Sequence, residues 1–138
     1  MSSERHQEMF RIVIEEAFNK GNFDVLDELF APDYTEHQFG LKPTLDGMKE
    51  DFAFLRRAFP DLHMTIEDMI ADEDTVWGRM TATGTNLGPF IGPPTGKHME
   101  ITVIDILRFA NGRVVDHWGS PDRFAAIAQL GLLPQSQR

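Results

Sequence analysis

The stretch from residue 101 to residue 122, ITVIDILRFANGRVVDHWGSPD, constrains the fold more than any other part of the chain. Apolar side chains recur at every second position in its first half, which predicts a strand with one buried face. The apolar positions are Ile101, Val103, Leu107 and Phe109. Asp105 is the polar residue that interrupts this face. A carboxylate at such a position needs a partner or a function.

The turn that follows this strand determines which residue of the next strand lies opposite Asp105. Ala110-Asn111-Gly112 predicts a three-residue hairpin loop with a left-handed glycine, and this loop places Asp105 directly opposite His117. A two-residue turn within the same stretch is the alternative, and it would set Leu107 against Asp116, which matches the two faces less well. We therefore expect a carboxylate and an imidazole to face each other on an apolar sheet face, as a possible acid/base site.

The rest of the chain is predicted to form helices in its first half and strands in its second half. Predicted helices run from Phe10 to Phe18, from an Asn22 cap through Phe30, and from a Thr44 cap to Phe59. Strands are predicted from Leu62 to Ala71 and from Val76 to Leu87, and a C-terminal helix with Ser120 as its cap and Pro121 first. This order predicts one α+β domain over residues 1–138, a cone in which a curved antiparallel sheet wraps around N-terminal helices and leaves an open mouth for a pocket.

Composition excludes several classes of function. A formal net charge of −9 argues against nucleic acid or an anionic membrane as partner, and the absence of cysteine removes thiolate metal sites and cysteine nucleophiles. Eleven Phe and seven Met residues suit either an ordinary core or a pocket for a flat hydrophobic molecule. The N-terminal residues lack the apolar run of a signal peptide and no stretch is long enough to span a membrane, so a cytoplasmic protein is expected.

Three segments resemble the SnoaL-like polyketide cyclases, a family within the nuclear-transport-factor-2-like superfamily of cone-shaped α+β folds. They are PDYTEH (32–37), DTVWGRMTATGTNLGPFIGPPTGK (74–97) and DILRFANGRVVDHW (105–118). The resemblance implies intramolecular aldol ring closure without a metal or an organic cofactor. In that family the catalytic aspartate immediately follows the His-Trp pair, and here the position is Gly119. The fold is therefore expected to transfer more directly than the reaction.

Asp105 and His117 are the predicted catalytic residues. A carboxylate in an apolar pocket is a better base near neutral pH, and the facing imidazole can orient it or move a proton. A structural ion pair is the alternative. Arg79 matches an arginine that is common in the family and would either clamp a substrate oxygen or neutralise Asp105, and the second role is the simpler one.

The predicted pocket has further members on neighbouring elements. His37 follows the second helix where the family places a pocket residue, Val103 lies beside Asp105, and Phe90 is expected to cap the cavity from the loop over 88–96. Gly119 marks the position of the missing carboxylate. The histidines show no spacing for a shared metal, and GPFIGPPTGK lacks the pattern of a phosphate-binding loop, so no metal or cofactor is expected.

Three functions remain open at this point. The first is a cofactor-independent acid/base enzyme, of aldol cyclase or isomerase type, acting on a small hydrophobic carbonyl or polyketide-like substrate. The second is a non-catalytic binding protein for a small hydrophobic metabolite, and the third, weaker one is a hydrolase with a water held between Asp105 and His117. We also expect a homodimer, unless the segment from Leu130 to Pro134 covers the outer sheet face. That face is predicted to carry Thr102, Ile104, Ile106, Val114 and Trp118.

Overall fold

The structure is a computed structural model that describes residues 2–134. In chain order the elements are α1 (Ser3–Ile12), a π-helical segment (Val13–Asn19), α2 (Val25–Leu29), β1 (Phe30–Glu36), α3 (Leu45–Ala58), β2 (His63–Asp72), β3 (Thr75–Thr85), β4 (His98–Ala110), β5 (Arg113–Pro121) and α4 (Arg123–Gln129). The α+β class and the cone are confirmed. The helices lie against the concave face of one curved five-stranded sheet, and the hydrophobic core fills the space between them.

Local capping signals explain most of the helix boundaries. The Thr44 hydroxyl accepts a hydrogen bond from the Gly47 backbone N–H at 3.0 Å, so α3 begins where predicted. Two predicted caps are wrong. Asp24, and not Asn22, is the N-cap of α2. Asp122 caps α4 by accepting from the Ala125 N–H at 3.1 Å, because β5 stays paired through Pro121 and leaves no room for an earlier helix start.

The strand order of the sheet is β1-β5-β4-β3-β2. All neighbours are antiparallel except β1, which pairs with β5 in the parallel direction. The prediction of a purely antiparallel sheet is therefore wrong at this edge. β1 follows α2 without a break, so the chain enters the sheet at Phe30, which was predicted to be helical. Its parallel register sets Glu36 beside His117.

The β4–β5 hairpin differs from the predicted register. Asn111 and Gly112 have φ angles of 53° and 80°, so the connection is the two-residue turn with two left-handed residues, and Ala110 pairs with Arg113. A bulge then shifts the register by one residue between the first pairs of the hairpin and the rest. As a result Asp105 pairs with Gly119, and not with His117.

The bulge also changes which side chains of β5 point inward. Val114 is fully buried and His117 is 6% exposed, so both lie on the inner face. The prediction that Val114 belongs to the outer face is wrong, because the two-residue turn pairs Val114 with the inward-facing Phe109. Trp118 is on the outer face as predicted, with 36% of its surface exposed, and Leu130 packs in the core cluster.

Candidate active site

The cone encloses a cavity of about 340 Å³ between α1, the π-helical segment, α3 and the inner face of the sheet. Most of its lining is aromatic or aliphatic, as a site for a flat hydrophobic molecule requires. The polar lining residues are Gln38, Asp51, Asp105, His117 and Arg123. Asp105 and His117, the two predicted catalytic residues, both line this cavity.

His117 connects two carboxylates across the sheet. Its Nε2 lies 3.1 Å from Asp105 Oδ1, and its Nδ1 lies 2.6 Å from Glu36 Oε2. The two contacts come from different neighbouring strands, β4 on one side and β1 on the other. The Glu36 side chain is 1% exposed, the His117 side chain 8% and the Asp105 side chain 14%, so the cluster is nearly sealed from bulk water and opens through Asp105.

These contacts determine the charge of His117. Burial alone would lower the pKa of the imidazole, but the hydrogen bonds and negative charges of Asp105 and Glu36 outweigh it and raise the pKa to about 10. His117 is therefore an imidazolium at neutral pH, and both ring N–H groups donate to carboxylates. With two carboxylates and one imidazolium, the cluster carries one net negative charge.

Glu36 is the functional residue that sequence reasoning missed. Besides His117, it accepts hydrogen bonds from the Tyr34 hydroxyl at 3.1 Å and from the Gln38 backbone N–H at 2.9 Å. Burial and the nearby Glu36 charge raise the pKa of Tyr34, so the phenol stays a donor to this carboxylate. The only sequence signal was its place within TEHQ beside His37, and the partner lies 81 residues away along the chain.

Asp105 lies between two glycines on the inner face of the sheet. It pairs with Gly78 on β3 and with Gly119 on β5. A Cβ at Gly78 would lie 2.4 Å from Phe10 Cζ, so the phenyl ring packs directly over the backbone there. A Cβ at Gly119 would lie 1.9 Å from the Gln38 amide oxygen and 2.6 Å from Asp105 Oδ1. The carboxylate thus has an apolar ring on one side and a primary amide on the other.

Two predicted pocket residues line the cavity. Val103 lies on β4 with 7% of its surface exposed, two residues from Asp105. Phe90 approaches from the loop before β4 and packs edge-on against Phe59, with ring centroids 5.2 Å apart. Gly119 itself is covered by the Gln38 side chain, which was not predicted to be in the site.

Arg79 does not line the cavity, and its predicted pairing with Asp105 is wrong. The residue opposite Asp105 on β3 is Gly78, so the side chain of Arg79 projects from the other face of the sheet. There it pairs with Asp68 on β2, with Arg79 Nη2 2.6 Å from Asp68 Oδ2, and about half of its side chain is exposed. Arg79 therefore does not neutralise Asp105.

His37 is also outside the cavity lining, contrary to the prediction. Its ring stacks on Trp118 with centroids 4.4 Å apart, and its Nε2 lies 2.9 Å from Asp116 Oδ1. Asp116 also accepts from Arg108 Nε at 2.7 Å, and its side chain is only 13% exposed, so His37 is held in a largely buried contact on the outer face. The backbone of His37 remains tied to the site, because its N–H donates to the His117 carbonyl at 2.9 Å.

Within residues 2–134, no three His, Cys, Asp or Glu side chains are arranged to hold a metal ion. None of the helices in the same residues has the length and apolar character to cross a membrane.

Comparison with known proteins identifies the family. The sequence profile of the SnoaL-like polyketide cyclases matches residues 8–130. The chain belongs to this family.

Relatives within the family align with most of the length of this chain. The nogalonic acid methyl ester cyclase of Streptomyces nogalater is 26% identical over 121 residues, which cover 83% of this chain and 90% of that protein. The aklanonic acid methyl ester cyclase DauD of Streptomyces sp. (strain C5) is 30% identical over 128 residues, covering 84% and 76%. Among solved structures, IdmH of Streptomyces antibioticus, a candidate polyketide cyclase, superimposes with a TM-score of 0.80 at 34% identity, covering 91% and 97% of the two chains.

Proposed function

We propose that this SnoaL-like chain is a cofactor-independent cyclase that closes a ring in a polyketide-like carbonyl compound, with Asp105 as the general base. One observation carries this proposal. Asp105 reaches an apolar cavity, and the imidazolium that holds it is already balanced by a second buried carboxylate, Glu36. The relatives are named as cyclases of nogalonic and aklanonic acid methyl esters, and these names support the same reaction class.

The position of Asp105 accounts for the absence of a carboxylate at Gly119. Asp105 Oδ1 lies 2.6 Å from the point where a Cβ of residue 119 would begin. A base on β4 therefore reaches the space that a side chain on β5 would otherwise enter. The neighbouring strand can supply the carboxylate that the family motif places at residue 119.

Glu36 supplies the negative charge that balances the imidazolium once Asp105 has taken up a proton. Before the reaction Glu36, His117 and Asp105 carry one net negative charge. When Asp105 takes a proton, the remaining Glu36–His117 pair is neutral overall, so no unbalanced charge stays buried. Glu36 is too deeply buried to meet the substrate and acts by holding the imidazolium in place.

The aldol step balances within the substrate. The Asp105 carboxylate removes a proton from a carbon next to a carbonyl, and the C–H electron pair forms the enolate. The enolate carbon then attacks a second carbonyl of the same molecule and forms the new C–C bond. The resulting alkoxide takes the proton back from Asp105, so no external oxidant, reductant or cofactor is consumed.

The test is turnover of nogalonic and aklanonic acid methyl esters by the purified chain. Asp105→Asn keeps the shape of the side chain and removes the base, so kcat should fall by about 10²–10⁴-fold. Arg79→Ala is the matched control, since it removes an ion pair on the outer face, and its kcat should stay within about 2-fold. Full activity in Asp105→Asn would refute the proposal. Tight binding of both esters without turnover would favour the non-catalytic binding protein instead.

The homodimer, the cytoplasmic location and the independence from cofactors stay predictions from the sequence.

A further inference from the structure

Gln38 lies beside the proposed base Asp105 and has no assigned role in the aldol step. It lies just after β1, and its side-chain oxygen is the atom nearest to the Cβ position of Gly119, at 1.9 Å. The amide carbon is 2.9 Å from the same point and the amide nitrogen is farther away. Only a glycine at 119 leaves this space to the amide.

The backbone of Gln38 is fixed while its side chain is free. Its N–H donates to Glu36 Oε2 at 2.9 Å, and the preceding peptide N–H, that of His37, donates to the His117 carbonyl at 2.9 Å. Among residues 2–134, Gln38 takes part in hydrogen bonds through its backbone only, and its side chain lines the cavity. The backbone of Gln38 is fixed by hydrogen bonds, and its amide has no partner among the residues that the structure describes. The amide is therefore available to hydrogen-bond a ligand in the cavity.

The other polar side chains that line the cavity are ionisable, and each of them has at least one hydrogen-bond partner. Both ring nitrogens of His117 donate to carboxylates, and Arg123 Nη2 donates to the Phe39 carbonyl at 2.9 Å. Asp51 accepts from the Lys42 backbone N–H at 2.9 Å. Gln38 is thus the uncharged donor available next to Asp105 in the described part of the chain.

We propose that the Gln38 amide NH₂ donates a hydrogen bond to the substrate oxygen that becomes the enolate oxygen. This inference rests on the proposed function and names the substrate feature that the site selects, a carbonyl oxygen next to the acidic carbon. Proton transfer to Asp105 moves negative charge onto that oxygen. A hydrogen-bond donor beside the base in an apolar cavity stabilises that charge more in the transition state than in the ground state.

The first test is kinetic and uses the same two methyl esters. Gln38→Leu removes the donor and leaves a shorter apolar side chain, and Gln38→Glu replaces the amide by a group that repels an enolate. We expect kcat to fall by about 10²–10³-fold in Gln38→Leu and further in Gln38→Glu, with KM changed by less than about 3-fold. Gln7→Leu is the matched control, because Gln7 lies on α1 at a groove outside the cavity. Its kcat should not change.

The second test does not depend on turnover. Alizarin is a flat hydroxyanthraquinone whose absorbance shows whether its phenol is ionised, so it serves as an enolate-like probe. The wild-type chain and Gln7→Leu should bind the alizarin anion about 10-fold more tightly than Gln38→Leu, which corresponds to one charge-assisted hydrogen bond. The bound phenol should also ionise at a lower pH in the wild type than in Gln38→Leu.

The two tests separate this inference from the proposed function. If the wild type turns over neither ester but alizarin discriminates between the variants as described, the cyclase assignment fails and the donor role of Gln38 stands. If Gln38→Leu binds the alizarin anion as tightly as the wild type, or if the wild type does not bind it, the role of Gln38 is refuted even when Asp105→Asn is inactive.

Discussion

The protonated state of His117 should make the stability of the fold depend on pH in the alkaline range. The imidazolium is held by Asp105 and Glu36, and its pKa is raised from 6.5 to about 10 in the folded chain. In the unfolded chain these partners are lost and the pKa returns to its ordinary value. The folded state therefore binds a proton more tightly, and its stabilisation is fully present below the unfolded pKa and is lost as the pH rises toward the folded pKa.

The size of the effect follows from these two values. A difference between 6.5 and about 10 corresponds to roughly 5 kcal/mol of stabilisation at pH below the unfolded pKa. About 4 kcal/mol remains at pH 7 and about 1 kcal/mol at pH 9. The free energy of unfolding should thus fall by about 2–3 kcal/mol between these two pH values, a large part of the total stability of a domain of this size.

Urea unfolding at several pH values measures this dependence. The wild type is compared with His117→Asn, which lacks the titrating imidazole, and with Gln7→Leu, which keeps every titratable group. The difference between wild type and His117→Asn should shrink by about 2–3 kcal/mol from pH 7 to pH 9, while that between wild type and Gln7→Leu stays nearly constant. A wild-type minus His117→Asn difference that is flat over this range would show that His117 is neutral and would remove the charge argument for Asp105.

The remaining predictions concern the two glycines and the outer sheet face. Gly119→Asp should not increase cyclase turnover and should destabilise the fold by about 1–3 kcal/mol in urea unfolding, because its Cβ meets Gln38 and its carboxylate repels Asp105. A rise in turnover would contradict this. Gly78→Ala should cost about 1–3 kcal/mol in the same assay, since Phe10 has to move, and unchanged stability would show that the ring yields freely. Sedimentation should show a homodimer at micromolar concentration that Trp118→Lys weakens, and a wild-type monomer would refute that interface.

Elements that depend on nearby residues could be predicted from the sequence. The Thr44 cap, the helical spacing from Phe10 to Phe18 and the change to a period of two after Pro60 all act over a few residues, and the structure agrees with each of them. The inward direction of Asp105 also follows from its place in the alternating pattern of β4. These signals were sufficient for the fold class and for one half of the site.

The missed parts depend on residues that are distant in sequence. Glu36 meets His117 only because β1 adds to β5 in the parallel direction, and nothing near Glu36 indicates this pairing. The partner of Arg79 is Asp68 on the adjacent β2, which local alternation cannot reveal. The role of Gly119 was interpreted as a loss, whereas the structure uses its missing side chain to admit Gln38 from another element.

The bulge in β5 shows how a wrong register still led to the right pair. With the two-residue turn alone, the pairing of Ala110 with Arg113 would continue along the hairpin and set His117 opposite Ile106, on the outer face. The extra residue shifts the pairing by one, so that His117 lies opposite Leu107 and points inward with Asp105. The predicted three-residue loop differs from the observed register by two residues at Asp105, and a shift of two preserves the face. Val114 and His117 are both buried although they are three residues apart, which regular alternation does not allow and the bulge between them makes possible.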